Sequence, residues 1–392
     1  MSGQANASGG NRSRYAAAVR ICYFTPVFLP DLGGAEVVSA RLSRGLHESG
    51  HDVHVLTRGR PAPLDVPHPV TWYPKMHRPH WRPERVIKHL RRLHARERFD
   101  VFLVNYGRPT GVAAVRLSAE TGVPTVLVSH GGDLHPRGED RARPHVFRRT
   151  EEAYRRADAC VAISAAIETL IKEIRGHDRP TVRIPNGVDA DDLNRPADPP
   201  ADVDPERPFV LALGNLRSAK GFGDAIAALA RPPAAADAGH LALYLVGRGE
   251  REAEWRALAA RHGLSDRVRF LGVRTGADKR WLLRHCRFGL MPSVEEGHPV
   301  VGLEYLATGR PVVCTTLGAF DDMCVQGVNA WRVPPRDPDA LAHAIAEAAA
   351  LPAGRAADID RFSRARAADF AWPRITARYL EVLRAVVEAP RR

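Results

Sequence analysis

Short apolar runs alternate with stretches of helical period along most of this chain. Residues 19–24 (VRICYF) form the first run, closed by Pro26 and the loop FLPDLGG. A helix is predicted from about residue 35 to 49. Val37, Val38, Leu42 and Leu46 recur there at helical spacing, and Gly50 closes it. HDVHVLT reads as the next strand, followed by FDVFLVNY, PTVLVSH, DACVAIS and TVRIPNG with helical segments between. Such alternation predicts a parallel sheet covered by helices on both faces.

The pattern stops at NRPADPPADVDPERP, which is rich in proline and aspartate and has no period. It then restarts with PFVLALGN, LALYLVGRG, VRFLGV, CRFGLMPS, PVVCTT and AWRVPP. The expected fold is therefore α/β, with two Rossmann-like, doubly wound domains. The predicted divisions are a disordered tail at 1–18, a first domain at 19–191, a linker at 192–208 and a second domain at 209–371. A final helix at 372–392 carries an apolar face of Ile375, Tyr379, Leu383 and Val386. Open α/β sheets bind ligands beyond the carboxyl ends of their strands, so the cleft between two such domains is the default site.

Composition narrows the function only modestly. The 392 residues are 44% hydrophobic and 26% charged, which suits folded domains. The net charge of +12 favours phosphate-bearing partners, anionic membranes or nucleic acid. No zinc-finger, RNP or KH pattern appears, and the basic residues lack aromatic neighbours for stacking, so nucleic acid is not the expected partner. The five cysteines form no CxxC pair and read as reduced apolar residues of a cytoplasmic protein. The opening MSGQANASGGNRSR lacks the apolar core of a signal peptide, and no apolar run approaches membrane-spanning length.

Candidate chemistry gathers in loops after strands. PSVEEGHPVVGLEYLATGRPVV (292–313) places Glu296 and Glu304 eight positions apart, across a loop that should become a helix near Val300. The free amides of that helix start suit a phosphate or sugar oxygen, and paired carboxylates suit a polyol. A helix cap with a solvated glutamate is the competing reading. Lys220, in the loop 214–221, is a cation able to meet a diphosphate. Gly33-Gly34 lets backbone approach a ligand closely, although a tight turn also explains it. The absence of G-x-G-x-x-G there argues against a dinucleotide cofactor. His130 ends a strand beside Gly131-Gly132-Asp133, where it either faces the expected cleft or is a packed, satisfied core histidine.

This set of motifs resembles the GT-B glycosyltransferases, specifically the large retaining group called family 4 or group 1. The family's E-G-F-P-x-x-x-x-E followed by A-x-G-x-P-V-V is met by Glu296-Gly297-His298-Pro299, Glu304 and Ala307-Thr308-Gly309-Arg310-Pro311-Val312-Val313. Here His298 replaces the usual aromatic residue and Tyr305 the usual alanine. Gly33-Gly34-Ala35-Glu36, Ile184-Pro185-Asn186-Gly187-Val188-Asp189, Val246-Gly247-Arg248-Gly249 and Phe270-Leu271-Gly272 extend the match over almost the whole chain.

The resemblance implies a sugar transferase using a nucleotide-diphosphate sugar, with a UDP-sugar the expected donor, and retention through front-face attack. It makes His130, Lys220 and Glu296 the catalytic set. Glu296 with Gly297, His298, Pro299 and Val300 would hold the sugar and diphosphate, and Glu304 the ribose. Gly33, Gly34, Gly247 and Asn215 would also face the donor, with Val273 or Arg274 against the base. His130 and Asp133 would serve the acceptor side. Asn215 stands where the family has arginine. Arg217 is then either the missing guanidinium or a solvated loop arginine. No cofactor and no essential metal ion are expected. A sugar-nucleotide epimerase or a phosphorylase on the same scaffold is the alternative.

The acceptor is open: a natural-product aglycone or aminocyclitol, or a cell-surface glycan or lipid precursor. Residues 77–99 hold eight Arg/Lys against two Glu, with Val86, Ile87, Leu90 and Leu93 in one stripe. That segment is either a helix packed on its sheet or a peripheral contact with anionic lipid at the inner membrane face.

Overall fold

The computed structural model describes residues 18–74, 83–134, 143–231 and 240–390. The predicted tail lies outside them except for residue 18, as does the start of the basic segment at 77–82. The chain opens with β1 (Arg20–Thr25), α1 (Gly34–Glu48), β2 (Asp52–Arg58) and β3 (Val70–Tyr73). It continues through α2 (Pro83–Glu97), β4 (Val101–Asn105), α3 (Val112–Thr121), β5 (Thr125–Ser129), α4 (Pro144–Arg156), β6 (Ala159–Ala162), α5 (Ala165–Arg175) and β7 (Thr181–Arg183).

A short helix, α6 (Ala190–Leu193), leads to the second lobe. That lobe comprises β8 (Phe209–Leu213), α7 (Phe222–Leu229), β9 (Ala242–Val246), α8 (Glu252–Arg261), β10 (Val268–Phe270), α9 (Gly276–His285), β11 (Gly289–Met291), α10 (Val300–Ala307), β12 (Val312–Thr315), β13 (Ala330–Val333), α11 (Pro338–Ala349) and α12 (Ala353–Ala367). The last helix is α13 (Trp372–Glu388).

The first sheet runs β3-β2-β1-β4-β5-β6-β7 and the second β10-β9-β8-β11-β12-β13. Every pairing between these strands is parallel. Two doubly wound sheets are what the alternating pattern predicts. Strand side chains alternate between faces, so in β8 Phe209 and Leu211 enter one core while Val210 and Ala212 enter the core on the other face. Both faces of the sheet are apolar because helices cover both.

Local chemistry fixes several helix starts. The Ser164 side chain caps α5 by accepting from the Ile167 amide, and Asp337 caps α11 by accepting from the Ala340 amide. Pro338 and Pro373 occupy first-turn positions whose amides have no helical acceptor. The α2 helix buries Pro83, Val86, Ile87, Leu90 and Leu93, so its apolar stripe is spent on the sheet rather than presented outward.

The chain crosses between lobes twice. The Val188 amide donates to the Phe370 carbonyl at 2.8 Å, holding the two crossings side by side. Beyond the second crossing, Ile375, Tyr379, Leu380, Val382 and Leu383 of α13 belong to the core of the first lobe. The five cysteines are all buried and free. No helix among the described residues is long and apolar enough to cross a membrane.

Candidate active site

The carboxyl ends of both sheets converge on one cavity of about 540 Å³, lined by residues of both lobes. On the second lobe, the chain leaves β8 through Gly214 and makes a single turn at Ser218–Lys220 before α7 begins. Gly221 ends that turn at φ 65°. A side chain there would collide with the Pro292 carbonyl, so glycine is required both by the dihedral and by the close approach. The Val294 amide donates to the Ala219 carbonyl at 2.8 Å and joins the two loops. Lys220 and Glu296 are therefore held by neighbouring backbone. The Lys220 Nζ donates to Glu296 Oε1 at 2.6 Å, and Ser293 Oγ donates to the same oxygen at 2.7 Å.

A second ammonium–carboxylate pair lies nearby. Glu304 sits one turn into α10, and Lys279 of α9 donates to its Oε1 at 2.6 Å. Both residues line the cavity. Glu304 is 7% exposed, so its carboxylate needs a partner, and Lys279 supplies it. Arg274 also lines the wall, but its guanidinium is anchored by Asp202 at 2.5 Å and Asp278 at 2.9 Å.

On the first lobe, Gly33, Gly34, Tyr106 and His130 reach the cavity from the loops after β1, β4 and β5. Tyr106 adopts φ 68°, an uncommon conformation for a residue with a side chain, and its ring lies 5.1 Å from that of His130. Burial pushes the His130 imidazole down to about 4, and its Nε2 has no hydrogen-bond partner. His130 is thus neutral at ordinary pH. His298 is 4% exposed, burial pushes it down to about 3, and neither ring nitrogen has a partner.

The lobes touch where two glycines meet. A Cβ on Gly131 would come within 3.3 Å of the Gly297 Cα, and one on Gly297 would overlap the His130 carbonyl. Close by, the Asn186 side chain donates to the His298 carbonyl at 2.7 Å. These contacts set His130 against the loop that carries Glu296.

Gly33, Gly34, His130, Asn215, Lys220, Gly247, Val273, Arg274, Glu296, Gly297, His298, Pro299, Val300 and Glu304 all line the one cavity. Two candidates do not. Asp133 is turned into the first lobe, where it accepts from the Gly107 amide at 2.6 Å, the Tyr154 hydroxyl at 2.7 Å and the Ser129 hydroxyl at 3.1 Å. It braces the loop after β5 and is not presented to a ligand. Arg217 is exposed and outside the lining, with its charge acting on Glu36 instead. Sequence reasoning overlooked Lys279, Arg41, Tyr106 and Trp372 as lining residues, and named Arg248 only within a motif. The motif pattern around Phe270-Leu271-Gly272 stops short of Lys279. Its signal was a lysine on the helix after that turn.

Two parallel-sheet lobes facing across a cleft, with cations and carboxylates at the strand ends, define the GT-B class of nucleotide-sugar enzymes. Residues 32–192 match the family model described as Glycosyltransferase Family 4, and residues 207–350 the model described as Glycosyl transferases group 1. The chain belongs to the family 4, group 1 glycosyltransferases.

D-inositol 3-phosphate glycosyltransferase of Salinispora tropica is 34% identical over 189 residues, a stretch covering 45% of this chain and 38% of that protein. N-acetyl-alpha-D-glucosaminyl L-malate synthase of Bacillus anthracis is 25% identical over 76% of this chain and 80% of its own length. Among solved structures, sucrose-phosphate synthase from Thermosynechococcus elongatus superposes with a TM-score of 0.81 at 22% identity, covering 95% of this chain and 100% of that one. HepE of Anabaena in complex with UDP-glucose superposes with a TM-score of 0.75 at 23% identity, covering 93% and 99%.

Proposed function

We propose that this glycosyltransferase moves a sugar from a UDP-sugar to an acceptor hydroxyl with retention of anomeric configuration. The observation that carries the reading is the pair of ammonium–carboxylate couples, Lys220–Glu296 and Lys279–Glu304, lining one cavity between the lobes. Glu304 accepts from the ribose hydroxyls, and Lys279 orients its carboxylate through the 2.6 Å contact. Glu296 accepts from sugar hydroxyls, while Lys220 and the first amides of α10 face the diphosphate. The HepE complex with UDP-glucose supports a donor of this kind.

The acceptor oxygen attacks the anomeric carbon on the face from which UDP departs. The carbon–oxygen bond to the β-phosphate breaks, and the acceptor proton passes to the departing phosphate oxygen. No enzyme nucleophile is needed. His130, kept neutral by burial, is a hydrogen-bond partner for a hydroxyl rather than a general base working near pH 7. Lys220 and the helix amides meet the charge on the leaving group, so activity should survive EDTA. Acceptors in the names of two relatives, D-inositol 3-phosphate and L-malate, are small and polar, and favour a compact acceptor at the reacting centre.

The test is acceptor-dependent release of UDP, with the product's anomeric configuration read by NMR. An inverted product refutes retention. Interconversion of the UDP-sugar without any acceptor refutes transfer in favour of an epimerase.

A further inference from the structure

The chain moves in one sense from β3 through β7, and parallel crossovers are right-handed as a rule. Helices α2, α3, α4 and α5 therefore lie side by side on one face, whereas α1 and α13 pack together on the other. In a parallel sheet the helices run against the strands. The amino ends of α2, α3 and α4 thus stand at the strand ends that form the cleft.

Charge is distributed unevenly along these helices. Toward their far ends four cations, Arg91, Arg96, Arg155 and Arg156, are paired with Glu120, Glu97, Glu151 and Glu152, while Arg92 and Arg98 are exposed there without an ion pair to a described residue. At the cleft end, Arg85 and Lys88 of α2 and Arg143, Arg148 and Arg149 at the start of α4 are exposed. None of these five has an ion pair with another described residue. Arg116 of α3 joins them through Glu84 at 2.9 Å, and the charge of Arg149 also reaches Glu84. Among the described residues, one carboxylate thus lies among six cations on a shoulder beside the mouth of the cleft.

We infer that this shoulder docks on an anionic lipid bilayer and turns the mouth of the cleft toward it. The α2 stripe is buried in the lobe, so the contact is electrostatic and does not insert an apolar helix. Adjacent exposed helix ends spread the cations over a broad surface, which suits a plane of headgroups. Among the described residues of these helix ends, no exposed Phe, Tyr or Trp is found to stack a base. The docking goes beyond the transfer reaction and can fail without it.

The test is sedimentation of the full chain with phosphatidylcholine vesicles and with mixed phosphatidylglycerol–phosphatidylcholine vesicles. Binding should appear only with the anionic mixture and be lost in high salt. The variant Arg85→Gln/Lys88→Gln/Arg149→Gln should lower the partition coefficient about tenfold or more, each cation near the surface contributing separately. The control Arg261→Gln/Arg355→Gln/Arg361→Gln, on the second lobe, removes the same charge and should bind as the unmodified chain does. A thermal melt establishes that both variants are folded. Equal binding to both vesicle types, or equal loss in both variants, overturns the proposal. Tighter binding to duplex DNA than to anionic vesicles at matched salt overturns it in favour of a nucleic-acid surface. Donor turnover is measured alongside. If the shoulder variant binds vesicles normally while Glu296→Gln still abolishes UDP release, docking fails and the transferase reading stands.

Discussion

Adding one methyl group at Gly297 should separate stability from catalysis. The new Cβ would overlap the carbonyl oxygen of His130, which belongs to the opposite lobe. Both partners at this contact are backbone, so no side chain can rotate away. The lobes must part locally instead, by about 1 Å, and a misplacement of that size costs on the order of 10²-fold in rate. That corresponds to about 2.7 kcal/mol of transition-state stabilisation. Each lobe keeps its own core, so the melting temperature should stay within a few degrees. The adjacent control is Gly132→Ala, where a Cβ meets nothing within 4 Å. The assay is steady-state UDP release under kcat/KM conditions, with UDP affinity measured by calorimetry. UDP affinity should change little, because the proposed nucleotide contacts, Lys220, Lys279, Glu296 and Glu304, all belong to the second lobe. If Gly297→Ala retains kcat/KM within about twofold of Gly132→Ala, the close approach of the lobes is not the reactive geometry.

Three further outcomes follow from the site. Lys220→Met should lower kcat by ~10²-fold or more through lost charge stabilisation, and single-turnover kinetics will detect it; an effect on KM alone counts against the assigned role. Glu304→Gln should weaken UDP binding by roughly 1.5–3 kcal/mol with a smaller change in kcat, and Lys279→Met should act in the same direction, as calorimetry would reveal. His298 stays neutral in the fold at a value near 3, whereas the unfolded chain takes up its proton below about 6.5. Its contribution is complete above that pH and is lost as pH falls toward 3, by up to ~1.4 kcal/mol per pH unit. His298→Phe should flatten this slope in urea titrations between pH 6.5 and 4, and an unchanged slope would refute the assignment.

Much of the fold was readable because burial on both faces writes near-continuous apolar strands, as in VRICYF and PFVLALGN. The start of α10 at Val300 was readable from the glycine and proline that precede it. What escaped was geometry set by loops. Asp133 follows two glycines and looks available for a ligand. Its short side chain instead turns inward, where the Gly107 amide and the Tyr154 hydroxyl need an acceptor. Arg217 is three residues from Lys220, yet the tight turn at Ser218–Lys220 directs only the lysine into the cavity. Lys279 was missed because its partner, Glu304, is 25 positions away and meets it only when α9 and α10 pack.

The return of α13 to the first lobe has a bearing on biosynthesis. On the ribosome, the amino-terminal lobe emerges early but lacks Ile375, Tyr379 and Leu383 until the entire second lobe has been translated. Beside α1, the part of the sheet around β4 and β5 must wait, with its apolar face uncovered, for a helix that follows the second lobe. A nascent chain stalled before that helix is therefore the species on which a holdase chaperone would act.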